Sequence, residues 1–155
     1  MCNQVEIVLN NERCWDERWL NYFWQHQIAF HFTSSLHHAI LRSIQNETPD
    51  SMRSNKNGDV YDIIVNDICV GLLLITPDDN ALSAEISIAI LNEYSERSFA
   101  QRAIQLYLSQ TPYHKIYGTV YKNNPFRDQM NHVFSKLGFH DSPENFTDRW
   151  SIDIR

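Results

Sequence analysis

A chain of 155 residues, 43% hydrophobic and 12% aromatic, holds material for one packed core and not for two, so residues 1–155 are expected to form a single domain. Thirteen Lys and Arg against nineteen Asp and Glu leave a net charge of −6, which speaks against sequence-independent nucleic-acid binding and favours a basic or neutral small partner. The apolar run Cys69 to Ile75 is far short of the ~20 residues of a membrane span, Met1 to Asn10 carries no charged-then-apolar leader, and Cys2, Cys14 and Cys69 lack metal-ligand spacing. A cytoplasmic protein with reduced thiols and no metal, away from membranes, is the expectation.

Val5 to Leu9 alternates as a first strand, after which Asn11 is expected to cap a helix with Trp15, Trp19, Tyr22 and Phe23 on its core face. Trp24 falls about half a turn from Trp15 at 100° per residue, off that stripe, and is therefore a candidate for lining a substrate pocket or a subunit contact. A second helix starts at Thr33 or Ser34 and turns Leu36, Ile40 and Ile44 inward. From Gln45 to Asp59, Asn, Ser, Pro, Asp and Gly crowd into a long loop.

Val60 to Val65 and Ile68 to Thr76 are β-branched runs joined by Asn66-Asp67, a pair that tolerates the positive φ of a hairpin turn. Pro77 to Asn80 turns the chain into a strand over Ser83 to Leu91, with Glu85, Ser87 and Ala89 on one face. From Arg97 to Ser109 the period changes to that of a helix. Lys115 to Tyr121 reads as a strand, Phe126 to Lys136 as a helix, and Phe146 to Ile154 as a closing strand, with a short strand near Phe139. At the junction after Leu91 a strand feeds a helix start, where unpaired N–H groups and the helix dipole favour a phosphate.

The segment Ala84 to Ala100 resembles the signature of GNAT-superfamily N-acetyltransferases, most of all their ribosomal-protein-acetylating branch. Val70-Gly71 in the preceding hairpin and Ser135-Lys136-Leu137-Gly138-Phe139 at the end of the last helix extend the likeness over Val60 to Phe139. The resemblance implies an α/β GNAT fold, a mixed and mainly antiparallel sheet flanked by helices. It also implies acetyl-CoA as cosubstrate, wedged where the fourth and fifth strands diverge, with no metal and direct transfer to a primary amine. That acceptor would be a small molecule or peptide, and the acidic chain favours a cationic one.

By the same resemblance, backbone amides of Ser95, Glu96, Arg97, Ser98, Phe99 and Ala100 hold the pyrophosphate, Ile90 offers its N–H to the oxyanion, and Asn124 stands near the family's asparagine after the fifth strand. Glu85 is the candidate base, acting through a water. Three departures stand out. Ser95 replaces Arg or Gln, Glu96 and Ser98 replace glycines, and Phe134 occupies the position of a tyrosine general acid. At a helix start, where φ is negative, serine is expected to follow the glycine path. Tyr121, His114, His132 and His140 are read as structural. The alternative to an enzyme is a non-catalytic GNAT-fold module that binds an acyl-CoA or a protein, and assembly into a homodimer is left open.

Overall fold

The computed structural model describes residues 4–11, 15–27, 30, 32–47, 58–95, 98–143 and 146–154. Their order is β1 (Val5–Leu9), α1 (Glu17–Gln25), α2 (Ser34–Asn46), β2 (Asp59–Val65), β3 (Ile68–Pro77), β4 (Ser83–Ile90), a 3-10 turn (Asn92–Tyr94), α3 (Phe99–Gln110), β5 (Lys115–Tyr121), α4 (Arg127–Lys136), β6 (His140–Pro143) and β7 (Thr147–Asp153). This is the expected α/β order. One seven-stranded sheet runs β1-β2-β3-β4-β5-β7-β6, and all its neighbours are antiparallel except β4 and β5. Among the described residues no helix is long and apolar enough to cross a membrane.

Local chemistry accounts for most element ends. Asn66 and Asp67 both take positive φ, as a two-residue hairpin requires. Thr33 caps α2, its hydroxyl accepting the Leu36 N–H at 3.2 Å. The expected cap of α1 is corrected: Asp16, not Asn11, accepts the Trp19 N–H at 3.1 Å, so Trp15 precedes the helix. Asn11 is drawn away by β2, its side-chain oxygen accepting the Val60 N–H at 2.7 Å. Most of the loop expected over Gln45 to Asp59 lies outside the described residues; α2 reaches Asn46, and β2 begins at Asp59.

The two faces of the sheet carry separate cores. Ile63, Leu73, Ile75, Ile86, Ile116 and Val120 pack under α3 and α4 with Phe99, Ile104, Tyr107 and Phe134. Val60, Leu72, Ala89 and Leu91 pack on the opposite face under the aromatic stripe of α1 with Ile40 of α2. Burial of this many large side chains, at about 1.5 to 3 kcal/mol each, is the main force holding the helices to the sheet.

A polar clamp completes the attachment of α4. Asp148 of β7 accepts from Arg127 Nε at 2.7 Å and from Asn131 Nδ2 at 2.9 Å, and Asn131 Oδ1 accepts the Trp150 indole N–H at 2.9 Å. The bond from Arg127, then that from Asn131, holds the Asp148 carboxyl below its ordinary value of 3.8. A carboxylate whose folded pKa is depressed contributes stability that is present above its unfolded pKa and lost as pH falls through the folded one. Acid unfolding below about pH 4 should therefore be less steep in Asp148→Asn than in the parent, measured by urea midpoints across pH; identical pH profiles would remove the clamp from the acid transition.

Candidate active site: a cleft between diverging strands

The parallel pairing of β4 with β5 covers only Ser83↔Lys115, Ala84↔Ile116 and Glu85↔Tyr117. Beyond Glu85 the strands separate, β4 staying with β3 up to Ile90↔Gly71 and β5 with β7 up to Tyr121↔Thr147. A cleft of about 510 Å³ opens in this gap. Tyr22, Phe30 and Leu36 line it from one face of the sheet and Ala100, Met130 and Phe134 from the other, so the opening passes through the sheet.

Strand geometry settles what the gap presents. Leu91 donates its N–H to the Val70 carbonyl at 2.9 Å, on the β3 side. Because backbone groups alternate along a strand, the Ile90 N–H faces the gap. The Tyr22 hydroxyl meets the Ile90 backbone there, and burial pushes its pKa up to about 12 while that contact pulls it back. Tyr22 therefore remains a neutral O–H donor through the physiological range. Reading it as a simple core residue on the α1 stripe missed this, since nothing in the local pattern reveals that its hydroxyl reaches β4.

Glu85 is half-buried at the mouth of the divergence, on the face shared with Ser87 and Ala89, and accepts a hydrogen bond from Thr119 Oγ1 at 3.1 Å. Thr119 belongs to the next strand in the sheet, and no local signal singles it out. A carboxylate with one hydroxyl partner keeps lone pairs free to receive a proton through water.

The expected phosphate cradle is laid out differently from a glycine loop. A 3-10 turn over Asn92–Tyr94 intervenes before α3, and Ser95 closes it with its hydroxyl bonded to the Asn92 carbonyl at 3.0 Å. Ser95 and Ala100 line the cleft. Glu96 and Arg97 lie outside the described residues. The Phe99 side chain is buried in the core, which leaves its backbone, the expected contact, to face a ligand. The expected negative φ at Ser98 is also corrected, since it takes φ 58° and ψ 15°, the left-handed region that favours glycine.

Ser98 makes no side-chain capping bond in that position. Left-handed backbone costs a non-glycine residue about 1 to 2 kcal/mol, part of which the extra freedom of glycine in the unfolded chain would cancel. Ser98→Gly is accordingly expected to raise stability by roughly 0.5 to 1 kcal/mol in urea unfolding; a lower midpoint would show that the serine contributes something the backbone does not reveal.

Asn124 lines the cleft, with Oδ1 accepting the Phe126 N–H at 2.8 Å just before α4. Its side chain thus has a structural task as well as a place in the cleft. Phe134 covers Gly118 of β5 so closely that an added Cβ would lie 2.4 Å from its ring, which explains why β5 carries glycine there. Beyond the cleft, His26 Nε2 pairs with Asn92 Oδ1 at 2.8 Å and its ring lies 4.9 Å from that of Phe126, tying α1 to both loops at the end of the gap.

Trp24 is not among the residues lining the cleft. It is exposed, as its helical phase predicts, and rests against His37 with ring centroids 4.7 Å apart. Among the described residues no group of three or more His, Cys, Asp or Glu is placed to hold a metal ion.

A mainly antiparallel sheet with one short parallel join, opened beside it and flanked by four helices, is the fold of the GNAT N-acetyltransferases. No protein-family model matches the sequence, and no curated protein matches it. Among solved structures the chain is similar to a spermidine N-acetyltransferase from Vibrio cholerae in complex with CoA and spermine, at TM-score 0.67 and 19% identity, covering 97% of this chain and 95% of that one. It is similar at TM-score 0.67 and 16% identity to a microcin C7 self-immunity acetyltransferase in complex with acetyl-CoA and AMP, covering 96% and 93%. A ribosomal L7/L12 alpha-N-protein acetyltransferase in complex with coenzyme A follows at TM-score 0.60 and 12% identity, covering 92% and 93%.

Proposed function

We propose that this chain transfers an acetyl group from acetyl-CoA directly to a primary amine. The observation that carries the reading is the through-sheet gap, which brings a backbone N–H turned away from β3, a carboxylate and the start of α3 to one cleft. The solved structures of this fold that hold CoA or acetyl-CoA support it.

Each step has a group to perform it. The first N–H groups of α3 lack intrahelical partners, and with the helix dipole they attract the pyrophosphate, Ser95 and Ala100 lying beside it. The Ile90 N–H polarises the thioester carbonyl and stabilises the oxyanion as the amine attacks. Glu85 receives the amine proton through a water. The departing thiolate accepts a hydrogen bond from the Tyr22 hydroxyl, the donor that Phe134 cannot be, and is protonated by the proton that Glu85 releases through water, which returns the carboxylate to its starting form.

Calorimetric titration with acetyl-CoA, followed by free-thiol release with a panel of amines, tests the reading. Saturable binding and amine-dependent thiol release are expected. Binding without release from any amine would replace the enzyme with an acyl-CoA-binding module, the outcome that Phe134 and the glycine-free cradle would then explain.

A further inference from the structure

Helices α1 and α2 cover one half of their face of the sheet, over β2, β3 and β4, and among the described residues no helix packs on the other half. On that half a second, smaller cavity of about 310 Å³ is lined by Asp78, Lys115, Tyr117, Arg149 and the serines at 83, 142 and 151. Sheet register makes it the neighbour of Glu85. Tyr117 is the cross-strand partner of Glu85, and Arg149 is the partner of Thr119, whose hydroxyl bonds Glu85.

The lining is charged in a particular way. The Arg149 guanidinium carbon lies over the Tyr117 ring, 4.2 Å from its centroid, and the Tyr117 hydroxyl donates to Asp78 Oδ1 at 2.5 Å. A guanidinium held against an aromatic ring loses conformational freedom and keeps N–H donors for a carboxylate or phosphate. Among the described residues neither Arg149 nor Lys115 forms an ion pair. Two cations and three serine hydroxyls thus face a cavity whose one carboxylate, Asp78, already accepts from Tyr117.

We propose that this cavity is an anion subsite of the acceptor, so that the preferred acceptor is an amine bearing a carboxylate or phosphate, with its amine at Glu85 and its anionic group between Arg149 and Lys115. The spacing suits one short molecule, because β4 and β7 are two strand intervals apart, roughly 10 Å, before the side chains reach inward. The inference rests on the acetyl-transfer reading, and it refines the expectation of a purely cationic acceptor. An acidic chain as a whole does not set the charge of one cavity.

Three dipeptide amides with free amino termini, differing only in an aspartate, a phosphoserine or an asparagine at the second position, separate the possibilities. The wild type should favour the two anionic peptides over the asparagine one by at least about tenfold in kcat/KM, and the better of the two names the anion. In Arg149→Ala and in Lys115→Ala the ratio should fall toward one, whereas Lys136→Ala, which removes a cation from α4, should leave it unchanged. Equal kcat/KM for all three peptides, or a preference that survives both substitutions, would overturn the subsite. If no peptide releases thiol although acetyl-CoA binds, the failure belongs to the catalytic reading. Calorimetry with the N-acetylated aspartate and asparagine peptides then decides: aspartate-selective binding lost in Arg149→Ala upholds the subsite, and its absence from the wild type overturns it.

Discussion

Glu85→Gln should lower turnover by about 10² to 10⁴ while acetyl-CoA affinity stays nearly constant. The substitution is nearly isosteric and keeps an oxygen able to accept from Thr119, so packing and the hydrogen bond across β4 and β5 are retained and only the capacity to take a proton is lost. Raising the pH should shrink the deficit, because more of the amine is then already neutral. Thr119→Val offers a second reading of the same bond: as a positioning residue it should lower kcat by less than Glu85→Gln, and Thr119→Ser should recover most of the loss. Normal turnover of Glu85→Gln at neutral pH would return the glutamate to the role of an ordinary half-exposed strand residue, with protons leaving through bulk water.

Trp19→Ala should cost about 3 to 5 kcal/mol and Trp24→Ala about 1 kcal/mol, read from denaturant unfolding. Trp19 is 2% exposed and packs against Tyr22 and Phe23, so its removal leaves a void that the sheet beneath cannot fill. Trp24 is 43% exposed and loses chiefly its contacts with His37 and Phe32. If a second copy of the chain covers Trp24, the weaker variant should also dissociate at higher concentration in sedimentation. Equal losses from the two substitutions would place Trp24 in the core despite its phase.

These outcomes bear on which parts of the molecule can be read from the chain alone. Strand β5 begins and ends at Lys115 and Tyr121 as the alternation predicts, and the hairpin at Asn66-Asp67 follows from two residues. Both are local decisions. Asn11 failed as a cap because its partners, Val60 and Asp59, are nearly fifty positions away, and a residue that caps well in isolation was claimed by a strand instead. The same limit explains the site. Glu85 was legible through its strand phase and the signature around it, whereas Thr119, Tyr117 and Arg149 become its neighbours only through the sheet order β4-β5-β7, which no periodicity encodes. Ser98 shows a subtler gap: the replacement of a glycine was visible, but the left-handed backbone that makes it costly was not.

The three-residue join between β4 and β5 has a consequence for how the molecule opens. On either side of it lie two antiparallel ladders, β1 to β4 and β5-β7-β6, each built by its own continuous pairing. Cooperative opening units follow such boundaries, and the seam with the fewest rungs is the place where one unit parts from the other. A ligand lodged in the gap touches both ladders and closes that seam from within. Amide exchange should therefore slow on binding at Ile116 and Ala84, and the two ladders should unfold as one unit when loaded and in two steps when empty.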